Sequence, residues 1–237
     1  MLLLLGAVGA DVARRAFAHH ETRLGATPAP VPVETAAVLG GHAPEAAELT
    51  RDRTRGRIRE ENTHTYLAES LSETDSMLRR WPDSRFSQPL RVAIIRQNVS
   101  GFREEYVSNV NWAMSRWSGV TPVLLETGTD SAHADIVVTW VDRMDNNRTG
   151  RTDLTWDRRG NIHQALVVLA THTPEGQLLD SRRMSALALH EFGHSLGLGH
   201  SPVREDALFP VTLAPDLSER DRATARLLYE LPAGSIR

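Results

Sequence analysis

The run His190-Glu191-Phe192-Gly193-His194-Ser195-Leu196-Gly197-Leu198-Gly199-His200 constrains this chain more than any other stretch. Arg182 to Leu196 has the composition of a helix, with Met184, Ala186, Leu187, Ala188 and Leu189, and with Asp180 or Ser181 available to cap its start. On such a helix His190 and His194 lie four apart, on one face and about one turn from each other. That spacing suits a tetrahedral zinc ion, whose Zn–N distances are ~2.0–2.1 Å. Glu191, one residue on from His190, points off the ligand axis, where it can reach a water activated by the metal without binding the metal itself. A continued helix would bring no third ligand. Gly197 can take a left-handed conformation and end the helix sharply. The chain can then turn back and offer His200. Three histidines leave the fourth zinc position open, which marks a catalytic site and not a closed structural one. The chemistry that follows is hydrolysis. Zinc lowers the pKa of a water to about 7, and Glu191 takes the proton as the water attacks a peptide carbonyl, then passes it to the departing amine.

Composition narrows the alternatives. The chain has no cysteine, so disulfides, thiolate ligands and a cysteine nucleophile are excluded, and zinc must be held by His, Asp or Glu. At 237 residues, 41% hydrophobic and 24% charged, it reads as a soluble globular protein of one ordinary domain plus an extra segment, or two small domains. A net charge of −3 gives no reason to expect nucleic acid or an anionic membrane as partner. The start, Met1 to Ala10, resembles the apolar core of a signal peptide without a basic n-region, and is too short to span a membrane. Export to the cell envelope or the medium is the expectation, as is a monomer.

Along the chain, residues 1–10 form the signal-like segment and 11–47 a linker, with four prolines between Pro28 and Pro44. Residues 48–86 form a helical N-terminal segment. From Glu45 to Arg80 no strand pattern appears, and one long or two shorter helices are expected, ended by Trp81-Pro82. Residues 87–237 form the remaining domain. Leu90–Ile95 reads as a buried strand, Phe102–Trp117 as a helix with one apolar face, Val120–Leu125 as a second strand and Ala134–Val141 as a third. Arg151–Trp156 and Ile162–Ala170 are two strands joined by the turn Asp157-Arg158-Arg159-Gly160. A last helix, about Glu219 to Tyr229, opens with Ser218 as N-cap and Asp221 three residues on. The order β-α-β-β-β-β-α-α predicts an α+β (α/β-like) domain: a five-stranded mixed, mostly parallel sheet packed by helices, with Arg151–Trp156 antiparallel at its edge.

The pattern HExxHxxGxxH is the metzincin signature, and within that clan the chain resembles the matrixins, especially their compact bacterial relatives. Ser201 follows His200 as in the matrixin His-Ser ending, and Ala134-Asp135-Ile136 is similar to the third strand of that family. Leu217-Ser218-Glu219-Arg220-Asp221 and Leu227-Leu228-Tyr229 resemble its C-terminal helix. The match covers roughly Pro89 to Pro232. The resemblance implies a metzincin fold, one catalytic zinc ion, endopeptidase activity on protein or peptide substrates, and a cleft between an upper and a small lower subdomain. Substrate would pair with the edge strand, at Thr152, Leu154 and Trp156. Gly197, Leu208 and Pro210 would support the site. Three departures stand out. Leu208 occupies the place where the Met-turn methionine is expected, a volume-conserving swap. Pro210-Val211-Thr212 lacks a tyrosine that many matrixins carry. Without cysteine there is no cysteine switch. Segments that would supply a structural zinc or calcium are not recognisable.

Two other functions compete with an active peptidase: a zinc-binding scaffold that has lost turnover, and a zinc hydrolase of small molecules. Glu191 argues against the scaffold, since a structural site has no use for a carboxylate there. The N-terminal helices are either an inhibitory pro-segment, for which Arg79-Arg80-Trp81-Pro82 offers a processing site, or permanent structure. Permanent packing is favoured because Leu67, Leu71 and Trp81 need cover. The other seven histidines, His19, His20, His42, His64, His133, His163 and His172, show no ligand spacing and read as surface or packing residues.

Overall fold

A computed structural model describes residues 43–128 and 130–237. The signal-like segment and residues 11–42 of the expected linker lie outside the described residues, as do His19, His20 and His42. The described elements are α1 (Ala43–Glu60), α2 (Leu67–Glu73), β1 (Met77–Leu78), β2 (Leu90–Ile94), α3 (Glu105–Ser118), β3 (Leu125–Gly128), β4 (Ile136–Val141), β5 (Gly150–Trp156), β6 (Ile162–Ala170), α4 (Ser181–Ser195), α5 (Glu219–Glu230) and β7 (Gly234–Ser235).

Five strands form one sheet in the order β3-β2-β4-β6-β5. β2 pairs parallel with β3 and β4, and β4 parallel with β6, while β5 runs antiparallel to β6 at the edge. This is the mixed, mostly parallel sheet that the sequence pattern predicts. Its central strands β4 and β6 are apolar on both faces because both faces are covered. One face, with Ile136, Val138, Trp140, Ala165, Val167 and Leu169, packs in the main core shared with α3, α4 and α5. The other holds a smaller cluster of Ala93, Ala134, Val137, Leu166 and Val168. No residue of β5 is fully buried, as suits a strand with an open edge.

Four boundaries differ from the sequence reading. The strand expected over Val120–Leu125 is instead β3 at Leu125–Gly128, paired from Leu90↔Leu125 to Ala93↔Gly128. Val120 and Val123 are buried, but in a turn, where Thr121 hydroxyl and Ser118 hydroxyl satisfy backbone groups and Pro122 has no N–H to give a ladder. The helix expected from Phe102 begins at Glu105, and Phe102 packs edge-on against Trp140 and Tyr106 from the loop before it. α1 starts at Ala43, inside the expected linker. Finally, helix does not run to Arg80. Asp75 and Ser76 adopt φ of 57° and 59°, which reverses the chain after α2. β1 then pairs antiparallel with β7 near the C-terminus.

The N-terminal segment is bound into the rest of the chain by buried contacts. Leu67, Leu71 and Trp81 are buried, and the Trp81 indole donates to the Ser195 carbonyl at 2.9 Å. Arg80, within the expected processing sequence, is buried as well. It donates to the carbonyls of Leu231 and Trp81 and pairs with Asp83 at 2.6 Å.

Candidate metal centre

The local sequence explains how α4 presents its histidines. Asp180 caps the helix by accepting from Arg183 N–H at 2.8 Å. Met184, Ala188, Leu189 and Phe192 are buried in the core, which fixes the helix's rotation. His190 and His194 therefore project from one side. Past Leu196 the chain turns at Gly197, whose φ is 99°. A β-carbon there would overlap the Arg79 carbonyl, so only glycine fits both the conformation and the space. The turn returns His200 to the other two. One ligand-capable atom from each of His190, His194 and His200 lies within 4.8 Å of the others, and no other such cluster is found among the described residues.

The hydrogen bonds at the far side of each ring determine what the near side can do. His190 Nδ1 lies 2.8 Å from the Ala207 carbonyl, and His194 Nδ1 lies 2.8 Å from that of Leu198. A carbonyl only accepts, so each Nδ1 carries the proton and each Nε2 presents a lone pair. These two Nε2 atoms are 3.0 Å apart. Facing lone pairs at that distance repel unless a cation lies between them. Burial pulls the His190 imidazole down to about 4 and holds that of His194 well below its ordinary value. Both rings are neutral at neutral pH, the form that binds a metal. Three imidazoles with no thiolate fit a zinc ion with one open position.

Glu191 is buried beside this cluster. Burial raises its carboxyl to about 7, against a hydrogen bond from Thr152 and the charge of Arg148, which favour ionisation. The Thr152 hydroxyl lies 2.7 Å from Glu191 Oε2 and 3.0 Å from the Glu191 carbonyl. A β-carbon at Gly150 would collide with Oε1. Two residues of β5 thus shape the carboxylate's position, one by bonding and one by having no side chain. Sequence reasoning places Thr152 on the edge strand without this contact.

A cleft of about 850 Å³ opens over the cluster. Gly150, Arg151, Thr152 and Leu154 of β5 line one wall, and Pro210, Val211 and Leu213 another. Val211 and Leu213 are exposed apolar side chains. Trp156 lies beneath the Arg79 guanidinium, 3.9 Å from its ring centre, and Arg79 also lines the cleft.

Leu208 is fully buried under α4, where a β-carbon on Gly193 would come within 2.7 Å of it. The turn that holds it rests on two buried acids, Asp206 and Asp221, whose contacts with it the sequence alone does not reveal. Asp206 accepts from the Ser201 hydroxyl, accepts from the Ser218 hydroxyl at 2.6 Å, and pairs with Arg220. Asp221, the capping-box residue of α5, also accepts from Ala207 N–H at 2.8 Å and from the Tyr66 hydroxyl at 2.9 Å. A continuous path thus runs from Tyr66 through Asp221 and Ala207 to His190. Of the remaining described histidines, His133, His163 and His172 each face an aspartate, at Asp130, Asp157 and Asp142.

A sequence model of the matrixin family matches residues 81–230. No curated protein matches the chain.

Proposed function

This chain belongs to the matrixin family, whose members are zinc-dependent endopeptidases, and from that premise we propose that it hydrolyses peptide bonds with Glu191 as general base and acid. His190, His194 and His200 hold the metal. The observation that carries this reading is the buried Glu191 carboxylate, fixed by Thr152 beside three histidines whose Nδ1 protons are already engaged or faced by acceptors.

Zinc, when bound, supplies a Lewis acid that polarises the scissile carbonyl and makes a water acidic near neutral pH. The protein's residues do the rest. The open edge of β5 offers its free backbone N–H and C=O groups to an extended peptide, which binds as an added strand along Thr152, Leu154 and Trp156. Val211 and Leu213 cover apolar side chains of that peptide on the opposite wall. Glu191 accepts a proton from the attacking water and returns it to the nitrogen of the departing amine. Gly197 and Leu208 keep the floor in place, and Pro210 forms part of the wall. Residues 87–237 constitute the catalytic domain. The enzyme acts as a monomer outside the cytoplasm; support for export comes from the apolar run at Met1–Ala10. No helix among the described residues is long and apolar enough to cross a membrane.

The test uses a denatured protein as substrate. Wild type cleaves it, and Glu191→Ala retains zinc while losing a factor of ~10²–10⁴ in rate. Equal cleavage by both would sink the mechanism. Cleavage of small esters or amides but of no polypeptide would favour the small-molecule hydrolase.

A further inference from the structure

The third histidine has a partner unlike those of the first two. His190 and His194 donate to backbone carbonyls, from Ala207 and Leu198. His200 faces a carboxylate: both oxygens of Glu73, the last residue of α2, lie 3.1 Å from its Nδ1. Glu73 Oε2 also accepts from the His200 backbone N–H, at 3.3 Å. One turn earlier on α2, the Ser70 hydroxyl accepts from Gly199 N–H at 2.7 Å, and a β-carbon on Gly199 would collide with it. The Arg79 carbonyl lies against Gly197. Gly197, Gly199 and His200, three of the four residues that deliver the third imidazole, therefore rest against residues 70–79.

We propose that Glu73 is a positioning residue of the metal centre, which makes residues 66–81 a permanent part of the catalytic unit and not a removable pro-segment. The inference rests on His200 being a metal ligand, as proposed above. The physical reason is specific. His200 is the least buried of the three rings, with about a third of its side chain exposed, so packing alone does not set its angle. A carboxylate at Nδ1 holds the proton on that nitrogen, turns Nε2 inward and makes it a better donor to a cation. The same carboxylate anchors the backbone on which the ring is mounted. Glu73 also lines the cleft, so its removal would alter a wall that substrate meets.

The experiment measures zinc affinity by chelator competition on the full chain, with the melting temperature of the metal-free protein alongside. Glu73→Ala weakens zinc binding by ~10–100-fold. Glu73→Gln, which keeps an acceptor but loses the charge, falls between that variant and wild type. Glu69→Ala, the same charge change at an exposed site on α2, leaves affinity unchanged. Metal-free melting of Glu73→Gln matches wild type. Wild-type affinity in both Glu73 variants overturns the proposal, and so does an equal loss in Glu69→Ala, which would make the effect one of net charge. A wild-type chain that takes up no zinc would remove the metal-site reading itself, a result distinct from a zinc-loaded Glu73→Ala.

Discussion

The metal centre has two halves built in different ways. His190, Glu191 and His194 sit on a helix whose opposite side is buried in the main core, and their orientation comes from helical geometry plus side-chain packing. His200 sits on a loop, and its orientation comes from hydrogen bonds and a glycine that no other residue can replace. The helical half should tolerate small insults by shifting side chains. The loop half has backbone against backbone and little to give.

The largest effect is expected where that contrast is sharpest, in a pair of glycine-to-alanine changes. Gly197→Ala puts a β-carbon into the Arg79 carbonyl and forces an L-residue to a φ of 99°. The left-handed conformation alone costs about 1–2 kcal/mol, and the clash adds to it. Loss of more than about 2 kcal/mol of stability is expected, with zinc affinity falling as His200 swings away. Gly193→Ala, in α4, meets side chains of Leu208 and Trp117 at 2.7 and 2.9 Å, with its backbone already helical. Its cost is that of overpacking, about 1–3 kcal/mol, and zinc is retained. Denaturant melts with metal titration on both variants would break the contrast if Gly193→Ala lost zinc and Gly197→Ala kept it.

The contrast also explains what could be read from the sequence. Spacing of four residues fixes two imidazoles on one helix face whatever surrounds them, so the helical half was legible in His190 and His194 alone. Most of the sheet was legible too, because Ala165–Ala170 is a continuous apolar run and the turn at Asp157–Gly160 makes Arg151–Trp156 the antiparallel edge. By contrast, β3 was displaced, and the order of the strands depends on pairing that no local pattern carries. Glu73 was not legible. It is 127 positions from His200, on a helix whose pattern shows only charges among scattered apolar residues. The same holds for Asp206 and Asp221: local sequence reveals a helix cap at Asp221, but its bond to Ala207 depends on how α5 folds back. β1 and β7, two residues each, are too short to have a period.

A smaller effect tests the helical half. Thr152 bonds the Glu191 carboxylate from β5, so Thr152→Val removes a donor to the group that the proposed mechanism uses as an anion. Hydrogen bonds to charged groups contribute about 1.5–3 kcal/mol, and part of that will appear as lost transition-state stabilisation. A drop of about tenfold in kcat/KM is expected, with zinc content unchanged and Thr152→Ser close to wild type. If zinc is lost together with activity, the two halves are more tightly coupled than their hydrogen bonds imply.

The smallest effect is expected under both halves, at Leu208. This side chain is fully buried, packs against Gly193 of α4, and belongs to the turn whose Ala207 carbonyl accepts a hydrogen bond from His190 Nδ1–H. Its backbone carbonyl also accepts from Ser201 N–H at 2.9 Å, directly after His200. These bonds come from the main chain and from Asp221, so they do not depend on what fills the space. Leucine and methionine have similar volumes, and exchanging them in a packed core usually costs less than about 1.5 kcal/mol. Leu208→Met should therefore leave zinc affinity and cleavage close to wild type and move stability by no more than that amount. A tenfold gain in zinc affinity on restoring the thioether would instead mean that sulfur acts on the metal centre electronically, and that the floor is more than a shape.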